Sequence, residues 1–131
     1  VFSADMPFTE IIDAWIDLYF ELLPKYPQIP IFILNEINHS PDALINKVTK
    51  SNPEKIFLNL SQKLEEEVKK GTIKNIPIID LGLNVLSLCV FPFMVRGIVI
   101  RVADKSVEEY NEILDEHKKY VKDLVLNGLK P

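Results

Sequence analysis

Few residues in this sequence have the types and spacing that chemistry requires. Glu36 and His39 form a Glu-x-x-His pair. Two such pairs on facing helices, with two more glutamates, hold a di-iron centre in ferritin-like bundles. Here the pair stands alone, because the other histidine, His117, has Leu114 three residues before it. His39 also abuts Ser40-Pro41, where a helix is expected to break. The metal reading lacks half its ligands, so no metal and no cofactor is expected. Cys89 is the single cysteine, which rules out an intrachain disulfide and fits a reducing, cytoplasmic compartment. A reactive thiol needs an electropositive, partly open setting. Cys89 instead lies between Leu88 and Val90 in an apolar run and reads as inert packing. No Gly-rich phosphate loop, Ser/His/Asp set or Cys-x-x-Cys pair occurs, and catalysis is not expected.

The best polar signal is Glu36 beside Asn35 in the stretch IFILNEIN, which is apolar on nearly every face. A buried carboxylate is costly unless paired. Glu36 therefore either reaches solvent or a neighbouring helix end, or it lines a cavity. Binding cavities are apolar with a few placed polar groups. Trp15, Tyr19, Phe32, Asn84, Ser87 and Phe91 are candidates to line the same cavity. Each aromatic among them reads equally as ordinary core.

The elements that must position these groups are helical. Asp80 to Arg96, DLGLNVLSLCVFPFMVR, holds no charge between its ends. Asp80 is expected to cap a helix that is apolar almost all round and hence buried on more than one side. Asn84 and Ser87 share one of its faces, and Pro92 is expected to bend or end it. Upstream, Phe8, Ile11, Ile12, Trp15, Leu18, Tyr19 and Leu22 recur at helical spacing, with Pro24 as the stop. The acids Glu10, Asp13, Asp17 and Glu21 fall on the other faces and are expected to be solvated. Pro30 opens a second helix, Ser40-Pro41 a short third carried by Leu44, Ile45 and Val48, and Asn52-Pro53 a fourth. The fourth has Phe57, Leu60, Leu64 and Val68 as its stripe, a Glu66–Lys70 pair and Gly71 as its stop. IVIRV is β-branched, but a lone strand has no partner here, so helix is favoured. Ser106 starts the last helix, with Glu108 and Glu109 in its first turn and Gly128 at its end. Its seam of Val107, Tyr110, Leu114, His117, Val121 and Leu124 steps by three and four. That seam suits an intrachain bundle as well as a dimer.

With 131 residues the chain is one domain in length and long enough to bury a core without staples. Its net charge of −4 leaves no basic stripe for nucleic acid. The uncharged run from Leu81 to Val95 is shorter than the ~20 residues of a membrane span.

The order of these elements resembles the C-terminal regulatory domain of TetR-family transcriptional repressors. The resemblance rests on YPQIPIFILNEINHSP (Tyr26 to Pro41), GTIKNIPIID (Gly71 to Asp80), LGLNVLSLCVFPFMV (Leu81 to Val95) and the final amphipathic helix from Ser106. It implies an all-α homodimer over residues 1–131, whose last two long helices build a four-helix bundle with a second copy. It implies a pocket for a small hydrophobic or amphipathic effector, lined by Trp15, Tyr19, Phe32, Glu36, Asn84, Ser87 and Phe91. The dimer candidates are Leu83, Leu86, Val90, Tyr110, Leu114, His117, Val121 and Leu124. In the family, DNA is read by an N-terminal helix-turn-helix head, of which Val1 to Met6 would be only the connecting tail. This chain is thus expected to sense and dimerise, not to bind an operator or span a membrane. Two rivals stay open: a structural helical interaction module without a pocket, and a metal-dependent helical oxidase using Glu36 and His39.

Overall fold

The computed structural model describes residues 6–42 and 53–131. The described residues form six helices and no strand: α1 (Phe8–Leu22), α2 (Ile29–His39), α3 (Pro53–Lys70), α4 (Ile78–Met94), α5 (Arg96–Val102) and α6 (Val107–Gly128). The all-α expectation holds, and IVIRV lies inside α5. The short helix expected on Leu44, Ile45 and Val48 falls outside the described residues.

Local chemistry sets most boundaries. Pro30 sits in the first turn of α2. At the end of α3, Gly71 takes φ 78°. Its N–H donates to the Val68 carbonyl while that of Thr72 donates to the Glu67 carbonyl, both at 3.1 Å. That pair of bonds is the Schellman closure of a helix end. Lys70 approaches Glu67 at 3.9 Å, so the expected Glu66–Lys70 pair gives way to i,i+3 spacing. At α6, Ser106 Oγ accepts from the Glu109 N–H at 3.0 Å. The Glu109 carboxylate accepts from the Ser106 N–H at 3.0 Å, which completes a capping box.

Two expectations about α4 shift. The helix begins at Ile78 with Pro77 as its N-cap, so Asp80 is in the first turn without being the cap. There its carboxylate still faces the positive end of the helix dipole. Pro92 does not end the helix, which continues to Met94 and turns by 59° into α5 around Val95. The bend frees the carbonyl of Pro92, and the Tyr110 hydroxyl donates to it at 2.6 Å.

The larger core cluster joins Phe8, Ile12 and Ile16 of α1, Leu64 of α3, Leu81, Val85 and Cys89 of α4, and Val121 and Val125 of α6. A smaller one joins Leu23, Phe93, Tyr110 and Leu114. Pro92 thus meets Tyr110 at one end of the α4–α6 pair, and Leu81 shares the larger cluster with Val125 at the other. The two helices therefore run antiparallel. α1 lies across both, and α3 and α2 complete the contacts on α4. No single helix among the described residues is long and apolar enough to cross a membrane.

Candidate functional site

The pocket candidates separate into inward and outward positions. Trp15 and Tyr19 lie one turn apart on α1, with ring centroids 6.0 Å apart and planes tilted by 39°. Both are half-buried against the larger core cluster. Burial pushes the Tyr19 phenol above its ordinary range, against a smaller opposing hydrogen bond with Trp15. On α4, Asn84, Ser87 and Phe91 do share one face, as their spacing requires, but that face is exposed. Ser87 Oγ donates to the carbonyl of Leu83 at 2.6 Å, so its hydroxyl is used within its own helix. On α2, Glu36 is half-buried and Phe32 exposed. Four of the seven candidates, Phe32, Asn84, Ser87 and Phe91, therefore face solvent rather than a shared enclosed volume.

The Glu-x-x-His pair fares similarly as a ligand set. His39 is exposed, and its Nδ1 pairs with the Asn35 carbonyl at 2.8 Å. Among the described residues no three His, Cys, Asp or Glu side chains gather to hold a metal ion. Cys89 is fully buried, and burial pushes its thiol up to about 12.

The dimer candidates divide more sharply. Tyr110, Leu114 and Val121 are at most 5% exposed and belong to the core of their own chain. At these three positions the seam read from spacing alone is the one that faces α1 and α4 within the chain. Leu83, Leu86 and Leu124 are exposed, and Val90 and His117 are half-buried. Spacing missed three more exposed positions, Ile79 at 62%, Ile113 at 42% and Tyr120 at 69%.

These outward residues lie together. α1 is held against α6 by charge: Lys118 Nζ is 2.8 Å from Asp17, and Lys122 Nζ is 2.7 Å from Asp17 and 3.3 Å from Asp13. The expectation that Asp13 and Asp17 are simply solvated is thus corrected. Burial alone would raise the Asp17 carboxyl, but the two lysines outweigh it and hold it below the usual carboxylate range. Burial likewise works against the Lys122 ammonium, and Asp17 and Asp13 overcome it to raise its pKa. At 3.6 residues per turn, Lys118 and Lys122 mark one flank of the buried Leu114–Val121 line of α6. Ile113, His117, Tyr120 and Leu124 fall on the opposite flank, which α1 approaches only at His117, through Phe20. On α4, Val90 packs against the smaller cluster of Leu23, Phe93, Tyr110 and Leu114, and Ile79, Leu83 and Leu86 lie on its side of the helix. The antiparallel pair thus carries one apolar face across both helices.

An open groove of about 520 Å³ runs along this face of α6. Ile113, His117 and Tyr120 line it together with the carboxylates of Glu109, Glu112 and Glu116. His117 is also 6.2 Å, ring to ring, from Phe20 of α1. His117 is the only sequence-selected residue in the lining. Comparison with models of protein families, with curated proteins and with solved structures finds no match for this chain.

Proposed function

We propose that this chain is a homodimerising regulatory domain of the kind the TetR resemblance implies, with α4 and α6 forming a four-helix bundle with those of a second copy. The carrying observation is the outward apolar face of Ile79, Leu83, Leu86, Ile113, Tyr120 and Leu124. Six large side chains of this kind offer on the order of 500 Å² per copy and about 1,000 Å² across a two-fold, the lower bound of a specific interface. In this reading the protein is cytoplasmic and performs no catalysis. A small hydrophobic or amphipathic effector binds among α1, α2 and α4, and DNA is reached only through a helix-turn-helix head outside this chain. Sedimentation equilibrium tests the core of the proposal. The expected mass is twice the 15.1 kDa of the chain. Leu83→Asp and Leu124→Asp should each weaken the dimer at least 30-fold, since a charge at a central apolar contact costs about 2 kcal/mol or more. A wild-type monomer at micromolar concentration overturns the proposal.

One observation favours a second reading, a structural interaction module without a pocket: Phe32, Asn84, Ser87 and Phe91 face solvent. Native mass spectrometry separates the two. A dimer carrying an extra few hundred daltons supports sensing, whereas a dimer that binds nothing from a library of apolar and amphipathic compounds supports the module.

A further inference from the structure

We infer that α1 couples the two flanks of α6, with Phe20 as the positioning residue that carries a displacement of α1 into the outward groove at His117. This rests on the regulatory reading above and adds the contact through which an event at α1 reaches the outward face. α1 crosses α6 on a diagonal. Asp13 and Asp17 hold its middle to Lys122 and Lys118 on one flank. Ile16 and Val121 belong to the buried cluster beneath the crossing. One turn further along α1, the Phe20 ring lies 6.2 Å from the His117 ring on the other flank, tilted by 53°. At 3.6 residues per turn, Asp13, Asp17 and Phe20 fall within about 60° of one another, so one side of α1 makes both contacts.

Phe20 touches α4 as well. It stands edge-on to Phe93, with centroids 5.6 Å apart and planes at 62°. Phe93 follows Pro92, whose carbonyl accepts from the Tyr110 hydroxyl. Phe20 is thus wedged between the bend of α4 and a residue that lines the groove. It packs against both core clusters. Close-packed interiors transmit strain, so such a ring does not shift without moving its neighbours. The contact on the other flank is of a different kind. Its ion pairs are partly exposed, and such pairs add little stability. Loosening them changes the tilt of α1 while the apolar clusters hold the fold. Trp15 and Tyr19, the effector candidates on α1, lie within the same turns of that helix. An effector that engages either ring acts on the same rigid element.

Histidine NMR reads the coupling. His39 and His117 are the only two histidines of the chain. His39 lies on α2, with its Nδ1 paired to the Asn35 carbonyl, and serves as the internal reference. The ring current of Phe20 displaces the His117 resonances, so they report the distance and tilt between the two rings. Replacing Asp13 and Asp17 together by asparagine should shift the His117 resonances and leave those of His39 in place. In a Phe20→Leu background the same pair of substitutions should no longer shift His117. Phe20→Tyr keeps the ring and should restore the response. All variants are compared at concentrations where sedimentation gives the same mass, so that a change in association is not read as a change within the chain. A His117 that ignores the loss of the ion pairs overturns the coupling. A response that persists undiminished in the Phe20→Leu background overturns the role of Phe20. A wild-type monomer by sedimentation overturns the dimer reading, and the coupling then stands or falls on the His117 shift alone.

Discussion

Removing one oxygen atom tests how the α4–α5 corner is held. In Tyr110→Phe the ring stays in its cluster with Leu23, Phe93 and Leu114, so no apolar contact is lost. What goes is the 2.6 Å hydrogen bond from the Tyr110 hydroxyl to the carbonyl of Pro92. A typical intramolecular hydrogen bond contributes about 1 kcal/mol net. Leaving its partly buried acceptor unmet adds part of a desolvation penalty of roughly 1–3 kcal/mol. The working figure is therefore about 1.5 kcal/mol. With an unfolding entropy of about 2.1 cal/mol/K per residue, that corresponds to a Tm lower by about 5 °C for a chain of this size. The assay is urea unfolding followed by circular dichroism, at one fixed protein concentration because association would add to apparent stability. The midpoint should fall with the m-value unchanged. Tyr110→Ala removes the ring as well and should cost about 4 kcal/mol or more. If Tyr110→Phe stays within a few tenths of a kcal/mol of wild type, the Pro92 carbonyl finds water equally well. The hydroxyl would then not be what holds the bend.

Two further outcomes follow from the charges and the thiol. The Asp17 carboxyl is held below its ordinary range, so its contribution is complete above about pH 3.9 and is lost as pH falls through the lower folded value. The Lys122 pKa is raised, so its contribution is complete below about pH 10.4 and is lost only at higher pH. Lys122→Met should therefore flatten both limbs of the stability–pH curve, and an unchanged acid limb would show that Lys118 alone holds Asp17. Cys89, buried and with its thiol raised to about 12, should react with a thiol reagent near neutral pH only at the rate of opening. Labelling as fast as that of a free thiol would contradict its place in the core.

Helix identity was legible in the residues because it depends on local chemistry. Pro30, Gly71 and the Ser106–Glu109 box act within one turn of where they stand, and each ends or starts a helix as its type requires. The β-branched IVIRV is helical because no second strand exists among the described residues to receive its backbone groups. Asp80 misled because two consecutive isoleucines precede it. Pro77 presets the backbone earlier, and the carboxylate remains useful one turn in without capping. The site was less legible because which side of a helix is buried depends on its neighbours and not on its own sequence. On α6 two apolar stripes overlap, sharing His117 and Leu124. The seam through Tyr110, Leu114 and Val121 is the one α1 and α4 occupy.

That overlap also gives α6 two apolar sides. A stripe facing only α1 and α4 would let Ile113, Tyr120 and Leu124 be polar at no cost to the fold. They are instead apolar and 42–69% exposed. On α4 the same holds for Ile79 and Leu83, at 62% and 57%. Single exposed apolar residues need no explanation, but a continuous face across two packed helices does. The Asp13, Asp17, Lys118 and Lys122 cluster ties the middle of α1 to one flank of α6, while Phe20 near the end of α1 approaches His117 on the other. Removing those ion pairs would therefore do more than lower stability. If α1 shifts toward the open flank, it covers part of the surface a second copy would use. Replacing Asp13 and Asp17 together by asparagine keeps their shape and removes their charge, and the expected result is a weaker dimer as well as a lower Tm. A lower Tm with the dissociation constant unchanged would mean that the clasp stabilises α1 without setting the exposed face.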